Sequence, residues 1–462
     1  MIQSLIEGID NMIDTIAAIS TSLGVGAISI VRLSGVDSIS IACKIFKGKN
    51  LEKVKSHTIN YGHIVNDMEI IDEVLVSVMK APKTVTCENV VEINCHGGVA
   101  TTNKILELVL LNGARLAEPG EFTKRAFLNG RINLLEAEAV MDLINSKTEE
   151  SRKLSINHAT GKFSVIIRDL RQKLLELLAN IEVNIDYPEY EDVEVITIEN
   201  IKNQIVNMRN FLENIVKESE NVKFIKNGIK IVIAGRPNVG KSSLLNRLLE
   251  EEKAIVTDIE GTTRDIVEGS IVLDGVLINF VDTAGIRETD DIIEKYGVEK
   301  SLNELENADL VMAVFNNNEK LNNEDKKLLN IISNINHIIV INKDDLEKNI
   351  DIDKIEKDNI IYTNTQSYKG IEELKDKITE LFKLDKIKEK DYNYFANIRQ
   401  ISLAKEALLI LKDVELGIYN KMPVDMIGID IKRIWMLLGD ILGENYSDEL
   451  IDQLFSQFCL GK

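Results

Sequence analysis

Apolar residues recur at two different periods along this chain, and the changes of period divide it. From Thr15 to about Pro119, short runs such as AISIVRL, EVLVSVM and VVEINC alternate with Gly-containing turns, and one longer segment, TTNKILELVLLNGA, has helical spacing. Short apolar runs bounded by turn residues predict strands, so this portion is expected to be an α+β domain. From Phe122 the spacing lengthens in GEFTKRAFLNGRINLLEAEAVMDLINSKTEESRKL, and Leu170, Leu174, Leu177, Leu178 and Ile181 predict the buried stripe of a long helix. That helix should end at IDYPEYEDVE, where Pro188 lacks a backbone donor, and helical sequence then runs to Asn227. Between Gly228 and about Leu384 the strand-like runs IKIVIAG, LINFVDTAG, LVMAVF, HIIVIN and IIYTN alternate with helical stretches, the pattern of a doubly wound parallel sheet. The remainder reads as helix, with Leu450, Ile451, Leu454, Phe455 and Phe458 on one face. Both helical flanks carry apolar stripes that need a partner. They are therefore expected to pack together as one domain into which the α/β unit is inserted. The predicted boundaries are 1–121, 122–227, 228–384 and 385–462.

Composition adds limits to this picture. A chain of 462 residues with 44% apolar residues is long enough for several cores at ~150 residues per domain. No apolar run reaches the ~18 residues of a membrane span. The opening MIQSLIEGIDNM carries Glu7 and Asp10 where a leader would carry Lys or Arg, so a cytoplasmic protein off the membrane is expected. The residues before Met12 read as a loose extension or a misplaced start. The four cysteines, Cys43, Cys87, Cys95 and Cys459, lack paired spacing and are expected to be reduced thiols. A net charge of −20 argues against non-specific binding to nucleic acid. One segment, with Arg152, Lys153, Lys162, Arg168, Arg171 and Lys173, reads either as a local basic face or as an ordinary solvated helix surface.

The chemistry lies in the central unit. Gly235-Arg-Pro-Asn-Val-Gly240-Lys241-Ser242 has the G-x-x-x-x-G-K-[ST] spacing and stands between a predicted strand and a predicted helix. Its glycines let backbone N–H groups curl around phosphates, and the helix N-terminus adds partial positive charge. Lys241 is expected to reach the β and γ phosphates as a catalytic group, and Ser242 to hold Mg²⁺. Asp282-Thr283-Ala284-Gly285 follows a second strand, and Asn342-Lys343-Asp344-Asp345 a later one as N-K-x-D, whose carboxylate can accept guanine N1–H and N2–H. Three motifs in this order predict a Ras-like GTPase fold that binds GTP. Thr263, in the Gly261-Thr-Thr-Arg-Asp265 loop, is the expected second Mg²⁺ hydroxyl. The predicted nucleotide contacts are Asn238, Val239, Gly240, Lys241, Ser242, Ser243, Thr257, Thr263, Asp282, Thr283, Ala284, Gly285, Asn342, Lys343 and Asp345. Asn364-Thr365 stands where many GTPases have Ser-Ala. After Gly285 comes Ile286, which cannot orient water as a Ras-like glutamine does. The candidates to replace it are Glu288, Asp290, Asp291 and Glu294, each of which also reads as a plain surface carboxylate.

These motifs, with GEFTKRAFLNGR, AEAVMDLI, IDYPE, VTDIEGTTRD and the terminal FCLGK, resemble the MnmE (TrmE) family of tRNA-modification GTPases over nearly the whole chain from Asp14. The resemblance implies an N-terminal domain that binds a one-carbon tetrahydrofolate (5,10-methylene type) and forms a homodimer, a helical domain and an inserted G domain. It also implies work with a flavin-containing partner, MnmG, which supplies FAD, to place an aminomethyl or carboxymethylaminomethyl group at C5 of the wobble uridine of certain tRNAs. Carried over by position, a K⁺ site falls at Asn238, Thr257, Ile259 and Thr262, and the catalytic water-positioning carboxylate at Glu294. Folate contacts fall at Arg32, Glu92, Arg131 and Lys462. Arg131 stands where a relative has lysine, and Val85 and Cys87-Glu88-Asn89 depart from an aromatic and Gly-Glu-Asp, departures that bear on fine folate specificity.

Two other functions compete on sequence grounds. A GTP-dependent switch for ribosome assembly would share the G domain but is expected to carry an RNA-binding module or a second G domain, which this chain lacks. A lipid-anchored GTPase is suggested by Cys459, but Gly461 and Lys462 fit the C-a-a-X pattern poorly. Cys459 itself reads either as a small buried apolar residue at the end of an amphipathic helix or as a candidate for the one-carbon chemistry.

Overall fold

The computed structural model describes residues 14–186, 198–251, 269–282, 303–351, 359–384, 392–446 and 448–461. Two compact units emerge, one of Met1–Met141, His158–Ile198 and Gly417–Lys462, the other of Asp142–Asn157 and Glu199–Leu416. Among the described residues no helix is long and apolar enough to cross a membrane.

The first unit is built on a seven-stranded sheet of order β3-β4-β5-β6-β2-β1-β7. Its strands are β1 (Ile16–Ile19), β2 (Gly26–Ser34), β3 (Phe46–Gly48), β4 (Thr58–Asn66), β5 (Glu69–Met79), β6 (Val90–Gly97) and β7 (Arg115–Leu116). Only the β1–β7 pair is parallel. Strict alternation gives the sheet one buried face: Val31 and Leu33 of β2, Val74, Val76 and Val78 of β5, and Ile93 and Cys95 of β6 point into the same core. Helices α1 (Ser38–Ile45) and α2 (Val99–Leu111) cover that face with Ile41, Ile45, Ile105 and Val109. The sequence reading contained α2 but not α1, an eight-residue element too short for a clear helical period.

Helix α3 (Glu121–Leu128) joins the sheet through Phe122, which packs with Ile16 and Ala18 of β1, and through charge. Arg125, 3% exposed, donates to Asp14, Glu88 and Glu121, while Arg115 donates to Asp14 at 2.7 Å and to Glu121 at 2.7 Å. Burial pushes the Glu121 carboxyl up, but the bonds from Arg115, the Glu118 N–H and Arg125 outweigh it and hold the group below the usual carboxylate range. At Asp14 burial is likewise outweighed by Arg115 and Arg125. Helices α4 (Leu134–Asn145) and α5 (Glu149–Ala159) follow.

Helices before the insertion pair with helices after it, as their apolar stripes required, and they do so in two sets. In the first unit α6 (Lys162–Asp186) lies on α12 (Val424–Leu442), where buried Arg171 pairs with Glu444 and stacks 4.3 Å over Trp435. In the second, α7 (Ile198–Asn227) lies beside α11 (Ile398–Tyr419), joined by the Arg209–Glu415 and Lys412–Glu213 ion pairs. Leu170, Leu174, Leu177 and Ile181 are buried as the stripe predicted, with Leu178 at its margin. The last helix, α13 (Asp448–Phe455), buries Ile451 and Phe455 against Leu134 and Ala137, but Leu450 is exposed and the helix stops before Phe458.

The second unit holds a six-stranded sheet of order β13-β12-β11-β8-β10-β9. Its strands are β8 (Ile229–Ala234), β9 (Gly269–Leu273), β10 (Val276–Asp282), β11 (Leu310–Asn316), β12 (His337–Asn342) and β13 (Ile360–Thr363). The sheet is mixed rather than wholly parallel: the edge strand β9 returns antiparallel to β10 through the Asp274–Gly275 turn. Helices α8 (Lys241–Glu251), α9 (Asn323–Ile332) and α10 (Ile371–Phe382) accompany it. β11, buried on both faces along its whole length, is a continuous apolar run, as a central parallel strand requires.

The charge cluster sets a pH dependence. Carboxyls held below their unfolded values of about 4 contribute stability that is present above that pH and lost as pH falls through their folded values. Glu121→Gln is therefore expected to lower stability at pH 7 by about 3 kcal/mol and to flatten the acid limb, as read by denaturant melts from pH 7 down to pH 3. A mutant curve parallel to the unaltered protein's across that range would refute the assignment.

Candidate nucleotide site

β8 is flanked by β11 on one side and β10 on the other, so the chain leaving its C-terminal end enters the crevice where strand order reverses. The turn that follows is built on unusual backbone: φ is +154° at Gly235, +65° at Asn238 and +100° at Gly240. At Gly240 the reason is also spatial, since a Cβ there would lie 2.2 Å from Asn342 Nδ2. The loop runs into α8, whose first N–H groups have no intrahelical acceptor and whose dipole places positive charge at the same point. Lys241, 6% exposed, lays its ammonium over the loop, donating to Gly235 O at 3.0 Å and Arg236 O at 3.1 Å. Ser242 and Ser243 are exposed at the helix start. Backbone donors, one ammonium and hydroxyls suit a polyphosphate with a hard cation such as Mg²⁺.

Two contacts tie this loop to the base-binding motif. Asn342, 1% exposed at the end of β12, donates from Nδ2 to Val239 O at 3.0 Å and accepts from Thr363 Oγ1 at 3.2 Å. Lys343, at φ +61°, donates from Nζ to Asn238 O at 3.0 Å. The two aspartates that follow differ in use: Asp344 pairs with Lys369, and Asp345 is exposed. A third support was not evident in the motif. Arg236, one of its unspecified positions, donates to Asp325 Oδ1 at 2.9 Å, and Asp325 also closes the capping box of α9. Asp282 ends β10 with its backbone opposite Ile233 of β8.

The structure thus brings together Asn238, Val239, Gly240, Lys241, Asn342 and Lys343. Thr257, Ile259, Thr262, Thr263, Thr283, Ala284, Gly285, Ile286, Glu294 and Lys462 lie outside the described residues, as does the side chain of Asp282.

In the first unit Arg32 and Glu92 face each other across β2 and β6, with Arg32 Nε donating to Glu92 Oε1 at 2.8 Å and its guanidinium 5.6 Å from the Phe122 ring centre. Arg131 is exposed just past α3. The tail reaches the same sheet: Gly120 N–H donates to Cys459 O at 3.1 Å and Ser20 Oγ to Gly461 O at 3.0 Å. Cys459 is exposed and lies beyond the last helix, which corrects the reading of a small buried residue at a helix end.

The family model described as GTP-binding protein TrmE N-terminus matches residues 15–131, and that described as MnmE helical domain matches residues 134–459. A tRNA modification GTPase MnmE from Streptococcus thermophilus is 54% identical over 97% of this chain and 98% of its own length. The chain belongs to the MnmE family. Members of the same name from Streptococcus mutans, 53% identical over 98% of this chain and 100% of the relative, and from Lactococcus lactis subsp. cremoris, 52% identical over 97% and 98%, agree in extent. A TrmE N-terminal domain, a helical domain and a P-loop G domain are thus the parts of this multidomain chain.

Gly240→Ala tests the loop geometry. Positive φ and the contact with Asn342 together are expected to weaken binding of a fluorescent GDP analogue by roughly 10- to 100-fold, from ~1–3 kcal/mol of backbone strain, with the helical content unchanged. Binding equal to the unaltered protein's would show that the loop has room for a side chain.

Proposed function

We propose that this protein is a K⁺-stimulated GTPase that, with a flavoprotein partner of the MnmG type, installs an aminomethyl or carboxymethylaminomethyl group at C5 of the wobble uridine of certain tRNAs. The observation that carries this reading is full-length identity of 54% to a protein named for tRNA modification and GTP hydrolysis, in a chain whose phosphate loop is complete.

In this reading the α8 N-terminus and Lys241 stabilise charge that develops on the β and γ phosphate oxygens, and Ser242, Thr263 and Asp282 serve the Mg²⁺. Asp345 accepts the guanine N1–H and N2–H. Ile286 leaves the attacking water without the usual side-chain partner, and Glu294 takes over its placement. Asn238 contributes an exposed amide oxygen, a hard donor suited to an alkali cation, to a site completed by Thr257, Ile259 and Thr262. Arg32, Glu92, Arg131 and Lys462 are the proposed folate contacts, with Cys459 as a candidate for the one-carbon step. When bound, K⁺ supplies charge neutralisation between the phosphates and 5,10-methylene tetrahydrofolate supplies the one-carbon unit, while FAD belongs to the partner. The protein works in the cytoplasm as a homodimer through its N-terminal domain, whose fold is of the folate-binding kind.

Mass spectrometry of wobble nucleosides from cells lacking the protein tests the function, with loss of the C5-modified uridines expected and an unchanged nucleoside profile sinking it. Exchange of K⁺ for Na⁺ is expected to slow GTP turnover by at least about tenfold, since positive charge at the transferring phosphoryl group is worth that or more. Equal turnover in the two salts would remove K⁺ from the mechanism. Deletion of residues 459–462 is expected to leave GTP hydrolysis largely intact and abolish modification, with Cys459→Ser intermediate, whereas normal modification by the truncated protein would separate the tail from the chemistry.

A further inference from the structure

The loop after β13 carries an arrangement that the sequence motifs do not describe. Arg247, on α8, donates from Nε to Thr365 O at 2.6 Å, and its guanidinium lies 4.2 Å over the Tyr368 ring. It also pairs with Glu250 one turn on, at 2.6 Å. The last contact alone would make it an ordinary surface ion pair, but a side chain serving only Glu250 has no need to lie along a loop 118 residues away in sequence.

That loop is a closed turn. Asn364 N–H donates to Lys369 O at 3.0 Å, and the N–H groups of Gln366 and Ser367 donate to Asn364 Oδ1 at 2.8 and 3.4 Å. These bonds use the N–H groups of Asn364, Gln366 and Ser367, and Thr365 N–H is the one of the four that they do not use. The turn stands beside the base-reading segment: Asp344 N–H donates to Thr363 O at 3.1 Å, Thr363 Oγ1 donates to Asn342 Oδ1, and Lys369 pairs with Asp344. Guanine presents an acceptor at O6 where adenine presents an N6 donor, so an N–H held at that edge discriminates between them.

We propose that Arg247 is a positioning residue that sets base specificity by holding the Asn364–Lys369 turn so that Thr365 N–H meets guanine O6. The brace starts six residues after Lys241 on the same helix, ~9 Å of helical rise, so one rigid element spans the phosphate end and the base end of the nucleotide. Arginine suits the task because its planar fork donates to a carbonyl while its face stacks on the ring, which a lysine ammonium cannot reproduce. The inference rests on the nucleotide-site reading and extends it to a residue outside every motif.

The test compares GDP with 6-thio-GDP, which keeps the N1–H and N2–H read by Asp345 but offers a larger, weaker acceptor at position 6. Titrations use the full chain, and the unaltered protein is expected to prefer GDP by about 3- to 10-fold, the worth of one neutral hydrogen bond. In Arg247→Ala that ratio is expected to fall toward one, with Arg247→Lys in between, whereas general damage to the site would weaken both ligands equally and leave the ratio. Tyr368→Ala removes the ring without touching α8, and it is expected to shrink the ratio too if Arg247→Ala fails to fold. An unchanged ratio in a folded variant overturns the proposal. Failure of the unaltered protein to bind GDP would instead overturn the site reading on which it stands.

Discussion

The hydrogen bond from Asn342 Nδ2 to Val239 O is the contact on which the nucleotide site depends, because it joins a loop after β8 to the end of β12, two strands away in the sheet. It is possible only because residue 240 has no side chain: the amide nitrogen occupies the space a Cβ would take. The same amide receives the Thr363 hydroxyl through its oxygen, so one buried group sets the phosphate loop, the base-reading strand and the turn after β13 in fixed relation. A buried amide whose two ends are both bonded is costly to displace, which makes it a firm reference point for the loops it joins.

Around that point the G domain uses further long side chains as ties. Lys343 reaches Asn238 O, Arg236 reaches Asp325 on α9, and Arg247 reaches Thr365 and Tyr368. The ties from Lys343 and Arg247 end on the loops after β8 and β13, and that from Arg236 leaves the loop after β8, all at the C-terminal edge of the sheet, where an α/β fold places its ligand. The loops gain order from side chains rather than from regular backbone pairing.

The first unit solves a different problem by similar means. Its sheet has one apolar face satisfied by α1 and α2, while α3 is held by Phe122 and by guanidinium–carboxylate bonds around Arg125. The chain's last residues return to this region through Gly120 and Ser20, and Gly461 at φ +85° lets the backbone pass where a Cβ would come within 2.2 Å of Ile19 O. Since Ile19 is paired with Val31 and Ala18 with Arg32, the tail lies at the end of the strand next to the one that carries Arg32.

Much of this protein was determined by the sequence alone wherever the information is local. The G-x-x-x-x-G-K-S run, the N-K-x-D tetrad and the apolar runs of β8, β11 and β12 are contiguous, and local backbone preference and side-chain period are enough to place them on strand, turn and helix. The stripe of α6 was legible for the same reason. What only the tertiary structure decided are the pairings between distant residues: Arg247 with Thr365, Arg125 with Asp14 at 111 residues' separation, Gly120 with Cys459, and the sorting of four helices into α6–α12 and α7–α11. An arginine in a helical pattern has the same local signature whether it faces water or a carbonyl, and an apolar stripe states that it needs a partner without stating which. Those choices follow from strand register and close packing, where geometry selects among partners that the sequence leaves chemically equivalent.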